Sequence, residues 1–458
     1  MAPTTIAEQQ KLVKAICNKF ITHPVTPWKP ISQHQKDTSR DPPARGPIWI
    51  SRTSFPAPPE EENDLCVALF RVCQQLKQPH QTVAAQSEAP LREVGLEFIG
   101  NRIGVVSNSP EPDITELEKL QALESECEAD FTILYFHGGG FYFSSPAQYR
   151  VSTCRLARNT KARVAAIRYR LSPQNIFPGA LLDALVAYAS LIYPPPGSSH
   201  TAVPANKIVL AGDSAGGNLC FSLVKVLLEL NKQASKPLLF HGNQVSLPVP
   251  AGLAVCSAWA DTCDIMPSWH KPDVLDIYGS VNPALVPGFP TDNIWPSTPP
   301  REHLYCAAST LDHELVTPAA VEDWTGAPPM WFTCGAFERN IDGNKAVAAQ
   351  AAKCGVTVQW NEYEGMFHEF MVIASSFPQT KHCYDNWAKA CADLADGKME
   401  VSHAISFKMP NCKESDNLGR VTDLSPLPFD EMRRRMIVGN SEREVFTGKK
   451  PLKRHSKL

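Results

Sequence analysis

The chain has 458 residues, a formal net charge of −3 and 20% charged residues, which argues against a nucleic-acid-binding surface. It contains no run of about 18 apolar residues, so no transmembrane helix is expected. Its start, Met1-Ala2-Pro3-Thr4-Thr5, lacks the basic and apolar stretches of a secretory signal. Fourteen cysteines are scattered with neither C-x-x-C pairs nor Cys/His spacing suited to a metal. A reducing compartment is therefore expected, with no metal and no organic cofactor.

In chain order, the first predicted elements are a helix over Ala7 to Phe20 and a second over Glu62 to Leu76. In the second, Leu65, Leu69, Val72 and Leu76 recur at helical spacing. Between them lies a proline-rich, tryptophan-bearing stretch, Pro24 to Pro59, that reads as loop. Residues 1–125 carry no catalytic motif and are set apart as an N-terminal region.

Phe131 to Phe136 is a short β-rich run that ends at His137-Gly138-Gly139-Gly140. Lys207 to Ala211 is another, leading into Gly212-Asp213-Ser214-Ala215-Gly216-Gly217, and Asn218 to Leu230 has the length and composition of a helix. A G-x-S-x-G segment between strand and helix is a sharp turn that lifts a serine hydroxyl above a sheet. Its glycines are needed because flanking side chains would collide. Alone the motif is a weak signal; with H-G-G-G upstream it is strong. The two segments together predict Ser214 as nucleophile, with the N–H groups of Gly138, Gly139 and Ala215 holding the oxyanion.

A serine nucleophile needs a base and an acid, which follow it in chain order in this architecture. Met330 to Cys334 reads as a strand, and the loop after it offers Glu338 and Asp342. Glu338 is favoured as the acid. Asp342 is the alternative, placed better to cap a helix beginning near Gly343. Val356 to Trp360 reads as a later strand, and His368 lies in the loop beyond it, where the base belongs. An imidazole of ordinary pKa predicts activity that declines below about pH 6.5. The long connection Asp264 to Ala308, rich in Pro, Trp and Tyr, is expected to line the site. Phe141, Tyr142 and Phe143 suggest either an apolar acyl pocket or aromatic packing.

Alternating strands and helices imply a mainly parallel sheet with helices on both faces, the catalytic domain spanning 126–400. Residues 401–458 read as a polar tail with little periodicity. It ends Ser456-Lys457-Leu458, a tripeptide read by the peroxisomal import receptor, so a peroxisomal location is expected.

H-G-G-G-F, G-D-S-A-G-G, Tyr169-Arg170-Leu171-Ser172-Pro173, Phe177-Pro178 with Asp183, Ser257-Ala258-Trp259-Ala260-Asp261 and Gly365-Met366-Phe367-His368 resemble the hormone-sensitive-lipase-like branch of the α/β-hydrolases. The likeness extends over most of residues 126 to 395. It implies an α/β-hydrolase fold and hydrolysis of an ester or thioester through an acyl-enzyme, with N-terminal helices as a cap. Many members carry an aspartate where Glu338 stands; a longer carboxylate can still orient an imidazole. Arg170, Asp183 and Asp261 are read as structural braces. With its terminal tripeptide and length, the chain also resembles the peroxisomal hydrolases of fungal host-selective-toxin clusters (AK-, AF- and ACT-type), which implies a role in toxin biosynthesis. Two other classes share the motifs: an acyltransferase, which the same residues would serve, and non-catalytic ligand-binding relatives, which lack a working histidine. Nothing in the residues fixes the oligomeric state.

Overall fold

The computed structural model describes residues 3–22, 29–86, 89–232, 237–272, 274–277, 285, 288–416 and 418–448. Twelve strands lie among them: β1 (Ile48–Phe55), β2 (Val94–Asn101), β3 (Thr132–Phe136), β4 (Arg163–Arg168), β5 (Ile208–Asp213), β6 (Leu238–Phe240), β7 (Asn243–Val245), β8 (Gly252–Cys256), β9 (Met330–Gly335), β10 (Val358–Tyr363), β11 (His403–Lys408) and β12 (Lys413–Ser415). Ten of these form one sheet in the order β1-β2-β4-β3-β5-β8-β9-β10-β11-β12, and β6 and β7 form a separate hairpin. From β4 to β11 every neighbouring pair is parallel. Antiparallel β1, β2 and β12 close the two ends.

The period of two in the central strands sorts their side chains between two apolar layers. Leu134 and Phe136 of β3 and Ile208 and Leu210 of β5 face one layer, which includes residues of the helices Asp64–Leu76, Gly179–Ile192 and Ser214–Lys232. Ile133, Tyr135, Val209 and Ala211 face the other, under the helices Arg150–Thr160 and Pro378–Ala395. The strands β3 and β5 are buried on both sides, as a covered parallel sheet requires.

Three expectations need correction. The boundary near residue 125 cuts through the sheet, because β1 and β2 pair along eight residues and β2 pairs with β4. The helix Asp64–Leu76 packs against the helices Gly179–Ile192 and Ser214–Lys232, so it belongs to the core layer and not to a cap. The stretch read as loop holds both β1 and the helix Ile31–Thr38. Within that helix, Gln35 donates to the carbonyls of Tyr142 and Ser172, and Thr38 accepts from the Ser144 amide. This short helix is the N-terminal element that covers the glycine loop.

The region 401–448 is likewise structured. β11 continues the parallel sheet beside β10, and the helix Phe429–Ser441 buries Met432 and Met436. Ser456, Lys457 and Leu458 lie outside the described residues.

Candidate active site

Ser214 follows β5 with no intervening residue and opens the helix Ser214–Lys232. Its φ of +49° is the left-handed geometry of a strand-to-helix elbow, held because the surrounding backbone leaves no alternative. Gly216 shows how close that packing is: a Cβ there would sit 1.9 Å from the Phe136 carbonyl oxygen. Gly216→Ala is therefore expected to displace the elbow and leave no active folded enzyme, checked by activity and thermal unfolding together.

β9 and β10 deliver the other two groups from their carboxyl ends. The His368 Nε2 lies 3.1 Å from Ser214 Oγ, and its Nδ1 lies 3.4 Å from Glu338 Oε2. Glu338 is pinned through its other oxygen, which accepts the Ser257 hydroxyl at 2.6 Å and the Gly335 N–H at 2.5 Å. The structure thus brings Ser214, His368 and Glu338 into one line, all three buried. Asp342 is employed elsewhere. It sits in the first turn of the helix Ile341–Lys353, where its carboxylate accepts the Ser268 N–H at 2.7 Å. Asp342 thus braces the segment after β8 and does not cap its own helix.

Two carboxylates beside His368 carried no motif signal. Asp276, fully buried, accepts the His368 N–H at 2.9 Å and the Arg339 N–H at 2.8 Å. It comes from the long connection expected to line the site. Burial pushes its carboxyl up to about 6, against the favourable charge of His368. Glu369 follows the histidine directly, and its Oε1 lies 4.0 Å from His368 Nε2.

These groups set the imidazole's protonation. Burial alone would lower its pKa, but the Glu338 hydrogen bond and the charges of Glu369, Glu338 and Asp276 outweigh it and raise it to about 9. The limb expected near 6.5 therefore moves upward. Because a base must be neutral to accept a proton, kcat/KM for a neutral ester is expected to climb as pH rises through about 9. A plateau already reached at pH 7 would contradict this. The raised value also stabilises the fold, fully below about 6.5 and progressively less as pH rises through about 9.

The His137-Gly138-Gly139-Gly140 loop follows β3 and is held from behind. His137 Nδ1 donates to the Gly138 carbonyl at 2.7 Å, and the Tyr169 hydroxyl donates to the His137 carbonyl at 2.7 Å. Burial holds the His137 pKa down at about 4, so its ring is neutral and structural. Tyr142 and Phe143 N–H groups donate to the Gly139 carbonyl, which curls the loop. Ala215 is the second residue of its helix, so its N–H has no carbonyl one turn back. Phe141 stacks on Tyr305 at 3.8 Å and Phe143 on His34 at 4.4 Å, so these rings serve packing. Arg170 is paired with Asp183, and Asp261 accepts the amides of Cys263, Ile265 and Met266, all as braces.

No helix among the described residues is long and apolar enough to cross a membrane. Nor does any group of three or more His, Cys, Asp or Glu among them form a metal-holding cluster.

A nucleophile elbow above a parallel sheet, with a histidine and a carboxylate on later strands, defines the α/β-hydrolase class. The family model described as alpha/beta hydrolase fold matches residues 133–372, and the chain belongs to that family. It is similar to an acetyl-hydrolase of Streptomyces hygroscopicus, 28% identical over 237 residues, which are 52% of this chain and 67% of the relative. An esterase of Acinetobacter venetianus is 25% identical over 279 residues, 60% of this chain and 77% of its own. The human hormone-sensitive lipase is 37% identical over a shorter stretch of 94 residues, 20% of this chain and 8% of the lipase. A solved hormone-sensitive lipase from a metagenome library shares the fold with a TM-score of 0.55 at 20% identity. The match covers 85% of this chain and 99% of that one.

Proposed function

We propose that this chain hydrolyses a carboxylic ester or thioester through Ser214, with His368 as general base and Glu338 orienting it. The observation that carries the proposal is the 3.1 Å approach of His368 Nε2 to Ser214 Oγ, with Glu338 behind the ring. Ester-bond hydrolysis is also the activity named for its relatives, an acetyl-hydrolase and an esterase.

The chemistry follows from the geometry. Glu338 faces Nδ1, which therefore carries a proton, leaving Nε2 to take one from Ser214. Ser214 Oγ adds to the acyl carbonyl. The resulting oxyanion is held by N–H groups of Gly138, Gly139 and Ala215, where a helix start adds its positive end. The imidazolium then protonates the leaving alcohol or thiol as the tetrahedral adduct collapses to an acyl-serine. Water, deprotonated at Nε2, releases the acid. No step needs a cofactor.

The purified chain is expected to release p-nitrophenol from short-chain p-nitrophenyl esters with free acid as the acyl product. Transfer to an added alcohol in preference to water would make it an acyltransferase; no turnover of any such ester would overturn the hydrolase proposal.

For cellular role, Ser456-Lys457-Leu458 supports import into peroxisomes; a place in fungal toxin biosynthesis is proposed on the resemblance to the toxin-cluster hydrolases. A tagged chain lacking these three residues should stay in the cytosol. Peroxisomal delivery of the truncated chain would place the address elsewhere.

A further inference from the structure

Beside the nucleophile, three side-chain oxygens converge on Gly138. A Cβ there would lie 2.3 Å from Asp213 Oδ2, 2.6 Å from Glu369 Oε1 and 2.6 Å from the Tyr149 hydroxyl. Asp213 Oδ2 and Glu369 Oε1 thus border the same point beside Gly138. Each is also supplied by a tyrosine: Tyr135 donates to Asp213 Oδ1, and Tyr149 donates to Glu369 Oε1 at 3.0 Å. Among the described residues no N–H or O–H donates to Asp213 Oδ2. The two tyrosine protons thus go to Asp213 Oδ1 and Glu369 Oε1, and the buried Asp213 Oδ2 is left facing Glu369 with no proton supplied to it.

The sequence positions of the pair give it meaning. Asp213 immediately precedes Ser214, and Glu369 immediately follows His368. Glu369 also holds φ at +53°, a left-handed backbone that a residue with a Cβ adopts only at a cost. Its carboxyl contacts offset that cost.

We propose that Asp213 and Glu369 share one proton and act as a hydrogen-bonded clasp that ties the nucleophile's strand to the histidine's loop and so sets the Ser214–His368 distance. Both are positioning residues, and the proposal rests on the reading of Ser214 and His368 given above. The proton resides on Asp213, which is fully buried, while the Glu369 side chain is 13% exposed. Burial and the neighbouring Glu369 raise the Asp213 carboxyl well above the usual carboxylate range, in agreement.

The groups facing the pair are Tyr135 from β3, Tyr149 and Tyr169 from the flanking loops, Cys220 from the nucleophile's helix and His368. Tyr384, from the helix Pro378–Ala395, lies behind Tyr135. Burial pushes the three tyrosines that flank the carboxyls and the Cys220 thiol upward, so all stay neutral, and among the described residues His368 is the group facing the pair that can carry positive charge.

Asparagine at 213 reproduces the protonated acid: its amide donates to Glu369 while its oxygen accepts from Tyr135. Asp213→Asn should therefore keep kcat within about threefold, whereas Asp213→Ala should lose roughly a hundredfold in kcat with little change in KM. A protonated-carboxyl C=O band should be present in the infrared spectrum of the wild type at pH 8 and lost in Asp213→Asn. That band needs no turnover, so it reports on the clasp even if Ser214 proves not to be the nucleophile. Absence of the band in the wild type would overturn the shared proton. Equal damage from Asn and Ala in correctly folded protein would overturn the clasp.

Discussion

Ser214→Ala is expected to cut kcat for p-nitrophenyl butyrate by about 10⁵- to 10⁶-fold while leaving the fold intact. Loss on that scale follows because the hydroxyl is the atom that bonds to carbon, and no neighbour can replace it. Cys256 is buried behind Ser257 and its thiol is held far above its ordinary pKa by burial and by Cys383, so it offers no alternative nucleophile. The residual rate should be that of an oxyanion cradle acting on water, about 10³- to 10⁴-fold over the uncatalysed reaction. Thermal unfolding should change little, since the side chain removed is small and its partner His368 is held by Glu338 and Asp276. Turnover within tenfold of the wild type would remove Ser214 from the chemistry.

Glu338→Gln should be the second largest effect, about 10³- to 10⁴-fold in kcat. The amide keeps the shape but can present an N–H to His368 Nδ1, which favours the wrong tautomer, and it removes the charge that stabilises the imidazolium. The acid limb of the pH profile should also fall, because Glu338 supplies both a hydrogen bond and a charge that raise the His368 pKa. Asp342→Asn should cost much less, since it perturbs only the Ser268 contact. If Asp342→Asn proved the more damaging, the two carboxylates would exchange roles.

The centre of the molecule was legible because its constraints are local. A strand that must end in a glycine turn, and a serine that must open a helix, leave G-D-S-A-G-G and H-G-G-G little freedom, and the structure sets both loops where those rules demand. The periphery was harder. β1 lies inside a proline-rich stretch, and its pairing with β2 brings together residues about forty-five apart, which no local pattern announces. β11, HAISFK, carries His403, Ser406 and Lys408 among its six residues, and its pairing partner β10 lies about forty-five residues earlier, so its membership in the sheet is not announced locally.

Within the site the division was similar. Ser214 and His368 were predicted by motif and chain order, and Glu338 over Asp342 by position in the loop. Asp276 could not be picked out of a long connection, because its partner is a backbone N–H ninety-two residues away, beyond any spacing rule. Glu369 stood beside His368 in plain sight, but its contact with Asp213 forms only when β5 and the loop after β10 meet over Gly138. The pH dependence divides in the same way. An isolated imidazole titrates near 6.5, and only the assembled carboxylates move this one.

The most direct test is the mass of the enzyme during its first turnover with p-nitrophenyl butyrate, quenched in acid and digested. One butyryl group is expected on the peptide containing Ser214, forming as fast as p-nitrophenol is released and absent when Ser214 is replaced. p-Nitrophenol release with Ser214 unmodified, or the acyl group on another residue, would contradict it.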